Sequence, residues 1–178
     1  MDAPRVLVAG VGNIFLGDDA FGVEVVRRLT SCPLPQGVIV KDFGIRGLDL
    51  AYALLDGGYA ATIVVDAAPR GGEPGTLYTI EPDVDEDAFT SHQIAVVQPH
   101  GMDPLNVFRL VKSMGGNLKG VLVVGCEPLT LGPAGGAMGL SAPVEAAVDE
   151  AVTLVESLLT KILSGEAEPV RRLRRAAD

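Results

Sequence analysis

The stretch RVLVAGVGNIFLGDDAFG, residues 5–22, decides the fold of this chain. Its apolar first half is typical of a strand buried on both faces, and a glycine turn with two adjacent acids follows it. Gly10 and Gly12 match the first two glycines of a dinucleotide-binding fingerprint, but phenylalanine stands where the third would be. The carboxylates of Asp18 and Asp19 would repel a pyrophosphate, so this strand-to-helix turn favours a cation.

Length and composition indicate one compact domain. The chain has 178 residues, of which 48% are hydrophobic, and a formal net charge of −9. We expect a single domain over residues 1–164, followed by a flexible basic tail at 165–178. The negative charge argues against nucleic acid and anionic membrane surfaces as partners, and no apolar run predicts a membrane span. Two cysteines without a paired spacing favour the reducing cytoplasm.

Short runs rich in valine and isoleucine alternate with amphipathic helical patterns. Four runs predict parallel strands, at residues 5–9, 38–43, 62–65 and 120–126. Apolar residues at helical spacing predict four helices, at residues 20–29, 48–55, 104–114 and 141–163. Residues 75–81 alternate in polarity and predict an antiparallel edge strand. The sequence therefore predicts an α/β fold: a single-domain three-layer sandwich with a mostly parallel twisted sheet, helices on both faces and one antiparallel edge strand.

Two long loops complete the chain. Residues 82–103 and 127–140 carry little regular pattern, and loops of this length in a compact domain are often functional. Each leads into a helix with a typical start, because Asp103 precedes Pro104 and Ser141 is placed as an N-cap. We therefore expect the loop at residues 82–103 to end at a fixed point.

Acidic residues follow the predicted strands at the edge where parallel sheets bind their ligands. They are, in chain order, Asp18, Asp19, Asp42, Asp66 and Glu127. Asp66 is the strongest candidate for a binding role, because it directly follows a buried run and an unpaired carboxylate is costly there.

Each acid also has a structural interpretation. Asp18 or Asp19 can cap the helix that begins near residue 20, although both cannot occupy one cap. Asp66 can hold the amides of the loop that follows it, and Asp42 can anchor the glycine turn after the second strand. Glu127 has no identifiable partner, and the cysteine before it is expected to be a small buried hydrophobe.

Both histidines, His92 and His100, fall in the first long loop. The Asp103-Pro104 helix start places His100 in the loop just ahead of a helix N-terminus. Two carboxylates and one imidazole form a ligand set with open positions, which suits Zn, Ni, Fe or Mn. No zinc-protease, serine-hydrolase or cysteine-protease signature is present in the sequence. From the residues alone, we predict an incomplete metal site on an α/β scaffold.

The chain resembles the nickel-iron hydrogenase maturation endopeptidases, which remove a C-terminal extension from the hydrogenase large-subunit precursor after nickel insertion. The matching segments are residues 8–22, 42–47, 64–68, 74–76, 100–102, 125–128 and 139–141. Any one of these segments is a weak signal, but their order and spacing together are specific. The resemblance covers most of the chain and implies an endopeptidase that acts on a nickel-loaded precursor.

The resemblance also implies the residues of the site. Asp19, Asp66 and His100 would form the metal-binding and catalytic trio, and Asp42 would lie in a segment that selects the precursor. Because Ser91-His92-Gln93 is also similar to the family's histidine context, His92 is the alternative ligand. Nickel would be carried by the precursor rather than held permanently, and would act as a recognition feature, as the group that polarises the scissile carbonyl, or as the group that activates water.

Two other functions remain open. A non-catalytic, nickel-dependent docking module for the precursor would use the same trio. A Rossmann-like nucleotide binder is favoured only by Gly10 and Gly12, and the adjacent acids oppose it. Cleavage of a nickel-loaded precursor would distinguish the endopeptidase from the docking module, and a nucleotide thermal-shift screen would test the third function.

Overall fold

A computed structural model describes residues 4–82, 103–118, 120–132 and 136–165. Within these residues, five strands form one sheet: β1 (Val6–Val11), β2 (Val38–Gly44), β3 (Ala61–Ala67), β4 (Leu77–Ile80) and β5 (Val121–Cys126). The α-helices of the same residues are α1 (Phe21–Leu29), α2 (Gly47–Asp56), α3 (Pro104–Ser113) and α4 (Ala142–Leu163). A 3-10 turn, Gly17–Ala20, precedes α1.

The sheet has the strand order β2-β1-β3-β5-β4. All neighbouring pairs are parallel except β4 and β5, which are antiparallel. The predicted mostly parallel sheet with one antiparallel edge strand is therefore confirmed. Because β1 and β3 are central neighbours, the turn after β1 and the residues that end β3 meet at the same edge of the sheet.

Helices cover both faces of the sheet, as predicted. Along β1, Val6 and Val8 pack with α1 and α4 in one apolar cluster. Leu7 and Ala9 point the opposite way and pack with α2 and α3 in the other cluster. This follows from the strand geometry, in which successive side chains alternate between the two faces. Burying one large side chain such as Phe108 contributes about 1.5–3 kcal/mol, so each cluster holds its helices firmly.

Two glycines let the turn after β1 lie directly on the sheet. A Cβ added to Gly22 would stand 2.0 Å from the carbonyl oxygen of Val65 and 2.4 Å from that of Val11. A Cβ added to Gly12, whose φ is +131°, would stand 1.7 Å from the carbonyl oxygen of Asp19. No side chain fits at such distances. Gly12 and Gly22 therefore allow close backbone packing, which brings the first turn of α1 to the end of β3.

The start of α1 differs from the prediction. The helix begins at Phe21, and its N-cap residue Ala20 provides no side-chain cap. The expectation that Asp18 or Asp19 caps α1 is wrong, because both side chains accept hydrogen bonds from residues outside this helix. The other predicted strands and helices are present at the predicted places.

Helices α3 and α4 begin at the predicted positions. Asp103 caps α3 by accepting a 3.0 Å hydrogen bond from the backbone N–H of Leu105, and Pro104 is the first helical residue. Ser141 is the N-cap residue of α4, but its side chain makes no cap bond. The Ser141 hydroxyl donates to Asp18 instead, so this cap position ties α4 to the first loop.

In the described ranges, no helix is long and apolar enough to cross a membrane. Residues 166–178, which make up nearly all of the expected basic tail, lie outside the described residues. The flexibility of the tail therefore stays a prediction.

Gly22→Ala tests the close packing of α1 on the sheet. Alanine is a better helix former than glycine by about 1 kcal/mol, so helix propensity alone predicts a more stable protein. The overlap with two carbonyl oxygens predicts the opposite, a fall of about 3 kcal/mol in the free energy of unfolding measured in urea.

Gly58→Ala is the control, because an added Cβ there would meet nothing within 4 Å. Its φ of +57° leaves only a conformational penalty of about 1 kcal/mol. If Gly22→Ala is as stable as the unchanged protein, α1 does not sit on the sheet as described.

Candidate active site

Asp66 lies at the end of β3, at the carboxyl edge of the sheet. The residue is 8% exposed, and its carboxyl group accepts a hydrogen bond from the backbone N–H of Ala67. Burial raises the pKa of Asp66 well above its usual range, and the negative charges of Asp19 and Asp103 raise it further. The bond from Ala67 opposes this rise without cancelling it. An ionised Asp66 is therefore costly unless a cation comes close to it.

Asp19 is the acid of the first loop that neighbours Asp66. It is half-buried, and its Oδ2 accepts a 2.7 Å hydrogen bond from the backbone N–H of Asn13. Burial raises the pKa of Asp19, and the bond from Asn13 opposes the rise. Since the charge of Asp19 also raises the pKa of Asp66, the two carboxyl groups interact. The structure thus brings together two members of the predicted trio.

Asp103 is a third acid whose charge reaches Asp66. The sequence predicts only a helix cap at Asp103, and Asp103 has that role. Its electrostatic effect on Asp66 arises because the N-terminus of α3 lies near the end of β3. No sequence signal reports this, since it depends on how α3 packs against the sheet.

His92 and His100 both lie outside the described residues, so the choice between them stays a prediction. Among the described side chains, no group of three or more His, Cys, Asp or Glu could hold a metal ion. The described part of the site is therefore the interacting carboxyl pair Asp19 and Asp66.

Asp18 precedes Asp19 but binds a different part of the chain. It is fully buried, and its Oδ2 accepts hydrogen bonds from the backbone N–H groups of Leu129 (2.8 Å) and Thr130 (3.0 Å). Ser141 donates its hydroxyl to Oδ2 (2.8 Å) and its backbone N–H to Oδ1 (2.6 Å). Burial acts to raise the pKa of Asp18, but these bonds outweigh it and leave the pKa below its usual value. Asp18 is thus an ionised structural group.

Glu127, for which the sequence offered no partner, organises the loop between β3 and β4. Its carboxylate accepts hydrogen bonds from the backbone N–H groups of Arg70 (2.8 Å) and Gly71 (3.1 Å) and from the Tyr78 hydroxyl (2.8 Å). Although burial acts to raise the pKa of Glu127, these donors hold it below its usual value. Glu127 therefore has a structural role. Its partners are distant in sequence, and only the folded sheet brings them together.

Cys126 is a buried residue at the end of β5, as expected, with 1% of its surface exposed. Burial raises the pKa of its thiol to about 12, and the charges of Asp18 and Glu127 add to the rise. Because the thiolate is the nucleophilic form of cysteine, Cys126 is unsuited to nucleophilic catalysis at neutral pH.

Asp42 pairs with Gly10 in the ladder between β2 and β1, where the register shifts at the following residue. The strand continues past Asp42 to Gly44, whose φ is +52°. The guanidinium of Arg46 donates a 2.6 Å hydrogen bond to the Asp42 carbonyl oxygen. The backbone of Asp42 thus helps to anchor the glycine turn, whereas selection of a precursor by Asp42 stays a prediction.

Exposed apolar side chains surround the turn that carries Asp19. Phe15 is 58% exposed, Leu129 59% and Met138 74%. Backbone hydrogen bonds join their loops, from Gly17 N–H to the Ala137 oxygen (2.7 Å) and from Ala137 N–H to the Phe15 oxygen (2.8 Å). Exposed apolar groups gathered in this way are typical of protein interaction sites.

Comparison with known proteins points to one family. The family model of hydrogenase maturation proteases matches residues 23–158. A hydrogenase expression/formation protein of Rhizobium leguminosarum bv. viciae is 34% identical over 160 residues, which cover 87% of this chain and 76% of that protein.

Two of the solved structures that are similar in fold are hydrogenase maturation peptidases. One is a hydrogenase maturating endopeptidase from Escherichia coli, with a TM-score of 0.71 and 30% identity, covering 88% of this chain and 93% of the other. The second is a hydrogenase 2 maturation peptidase from a Thaumarchaeota archaeon, with a TM-score of 0.65 and 38% identity. The match covers 88% of this chain and 98% of the other. The predicted fold class agrees with these structures.

Asp66→Asn is expected to stabilise the protein at neutral pH. Because the folded-state pKa of Asp66 is raised, its contribution to stability falls as the pH rises from the usual aspartate range through that raised value. Asparagine cannot ionise, and it keeps an oxygen for the Ala67 N–H. The melting temperature at pH 7 should rise by about 3 °C for each kcal/mol relieved, and the difference should shrink near pH 4, where Asp66 is protonated in the folded state.

Glu150→Gln is the matched control, because it removes one negative charge at an exposed position of α4. A melting temperature for Asp66→Asn that is unchanged or lower at pH 7 would contradict the predicted electrostatic cost of Asp66.

Proposed function

Because the chain belongs to the hydrogenase maturation protease family and is therefore a peptidase, we propose that it removes the C-terminal extension of a nickel-iron hydrogenase large-subunit precursor after nickel insertion. Family membership gives the class of reaction. The observation that carries the finer proposal is the interacting carboxyl pair at the carboxyl edge of the sheet, in which Asp66 has a strongly raised pKa. Strongly perturbed carboxyl groups at such an edge are typical of functional sites.

The carboxyl pair is suited to meet a metal that the substrate brings. Two neighbouring carboxylates repel each other, and a divalent cation removes this repulsion. The isolated pair is expected to retain a proton, which the nickel of the precursor would displace. Two carboxylates and one imidazole leave coordination positions open for the ligands that the precursor supplies.

His100 is proposed as the imidazole of the site. It precedes Asp103 by three residues in the sequence, and three extended residues span at most about 11 Å. Since the charge of Asp103 reaches Asp66, this short connection supports His100 as a ligand. His92 lies eight residues earlier and would need more of the loop to be ordered, which costs about 1–2 kcal/mol of backbone entropy per residue.

Peptide hydrolysis requires an activated water and a proton for the leaving nitrogen. Asp66 and Asp19 both have raised pKa values and are suited to accept and return a proton. Nickel on the substrate would polarise the scissile carbonyl or activate the water, or serve to recognise a loaded precursor. Cys126 takes no part, because its thiol stays protonated.

The surroundings of the pair support a protein substrate. Apolar side chains such as Phe15 and Leu129 are exposed next to the Asp19 turn and offer contact area for a partner. Asp42 lies at the same edge of the sheet, on β2, which neighbours the strand that leads to the Asp19 turn. We propose that it helps to select the precursor. We also propose a cytoplasmic location, to which the two free cysteines, Cys32 and Cys126, are suited.

Cleavage of a precursor tests the proposal. The protein is incubated with nickel-loaded and nickel-free forms of a large-subunit precursor, and the products are weighed by mass spectrometry. Only the loaded form should lose its C-terminal extension. Asp66→Ala and Asp19→Ala should fold but lose cleavage by at least about 100-fold, whereas Glu150→Gln should retain it.

Two results would overturn this account of the site. Cleavage by a folded Asp66→Ala protein at nearly the unchanged rate would remove Asp66 from the mechanism. Tight binding of the loaded precursor by the unchanged protein, without any cleavage, would indicate the docking module instead.

The two histidines are separated by their own variants. His100→Ala should lose cleavage and His92→Ala should retain most of it. Cleavage by the unchanged protein should also fall below about pH 6, because a protonated imidazole no longer binds metal. If His92→Ala is inactive and His100→Ala is active, the site must be redrawn around His92.

A further inference from the structure

We propose that Asp18 is a positioning residue for the reaction. Its buried carboxylate fastens the turn that carries Asp19 to residues 129 and 130 and to the start of α4, and so holds Asp19 beside Asp66. The role in the reaction rests on the proposed function, whereas the mechanical link between Asp18 and Asp19 can be measured without it.

The attachment made by Asp18 is unusually complete. Its two carboxylate oxygens accept four hydrogen bonds, and every donor lies 111 to 123 residues further along the chain. The backbone N–H of Asp18 also donates to the Thr130 oxygen (3.1 Å), so Asp18 and this loop are bonded in both directions. An ionised carboxylate is the side chain suited to four donors, because it accepts hydrogen bonds at both oxygens and donates none.

One of the partners of Asp18 belongs to a helix that is packed against the rest of the domain. Ser141, which supplies two of the four donors, is the N-cap residue of the 22-residue helix α4. Helix α4 packs against α1, and Arg28 of α1 forms ion pairs with Glu145 and Asp149 of α4. Asp18 therefore connects the turn to a helix that is already held against the sheet.

The position of Asp19 depends on this connection. Asp18 and Asp19 are consecutive residues of the same 3-10 turn, and the backbone N–H of Asp19 donates to the Leu16 oxygen (3.2 Å). The carbonyl of Asp19 lies against Gly12, which prevents movement toward β1. On the side facing residues 129–141, the Asp18 bonds restrain the turn together with the bond from the Gly17 N–H to the Ala137 oxygen. The hydrogen bond from the Asn13 N–H to the Asp19 carboxylate therefore reports whether the turn keeps its place once the Asp18 bonds are lost.

Asp18→Asn tests the link with little change in size. An asparagine has an NH₂ group in place of one acceptor oxygen, so at least one of the backbone N–H donors of Leu129, Thr130 and Ser141 must face another donor. The turn should loosen, and the Asn13 N–H should lose its bond to Asp19. Hydrogen exchange of the Asn13 amide, measured by NMR under conditions in which the protein is folded, should accelerate by about tenfold or more.

Glu127→Gln is the matched control. Glu127 is also a buried carboxylate that accepts bonds from backbone N–H groups of another loop at this sheet edge, but it does not touch the Asp19 turn. The Glu127→Gln protein should be less stable, but exchange of its Asn13 amide should accelerate no more than its lower global stability accounts for.

With a nickel-loaded precursor, Asp18→Asn should lower kcat by about 100-fold with little change in KM, because a misplaced group acts mainly on the chemical step. Glu127→Gln should retain kcat.

Ser141→Ala is the second variant, in case Asp18→Asn does not fold. It removes only the hydroxyl donor and should accelerate Asn13 exchange by a smaller factor. Unchanged Asn13 exchange in the folded variants, or equal acceleration in Glu127→Gln, would overturn the positioning role. If the unchanged protein cleaves no precursor, the proposed function fails, and the exchange experiment still decides whether Asp18 holds Asp19.

Discussion

The close contact between the first turn of α1 and the end of β3 is the constraint on which the site depends. Gly22 lies so near the Val65 carbonyl that no side chain fits between them. Gly12 lies similarly near the carbonyl oxygen of Asp19. This contact places an acid from the first loop next to an acid from the third strand. Without it, a longer separation would weaken the charge interaction with Asp19 that adds to the effect of burial in raising the pKa of Asp66.

Four acids at this edge differ because they have different hydrogen-bond donors. Asp18 and Glu127 are buried among backbone N–H and hydroxyl donors, which lower their pKa values and make them structural anchors. Asp66 and Asp19 each have a backbone donor that does not offset burial, and their pKa values are raised. The fold thus supplies internal partners to two carboxylates and leaves the other two suited to a cation from outside.

The fold could be predicted from the sequence because its signals are local. Buried valine runs, helical periodicity and the Asp103-Pro104 helix start each lie within a few residues of chain. The position of Asp66 at the end of a buried strand could be predicted for the same reason. The roles of Asp18 and Glu127 could not, since their partners are brought near only by the assembled sheet. Choosing Asp19 over Asp18 required the family resemblance, because both acids fit the same local pattern.

The central claim is that Asp19 and Asp66 form the metal-facing pair. It is tested most directly by locating the site at which the isolated protein binds a divalent cation. Mn²⁺ suits carboxylate ligands, and because it is paramagnetic it broadens the NMR signals of nearby amides. Titration with Mn²⁺ should broaden the amides of Asn13, Ala67 and Asp103 first, and Asp66→Asn should remove the effect. Broadening centred on Gly71 beside Glu127, or persisting unchanged in Asp66→Asn, would contradict the assignment of Asp19 and Asp66 as the metal-facing pair.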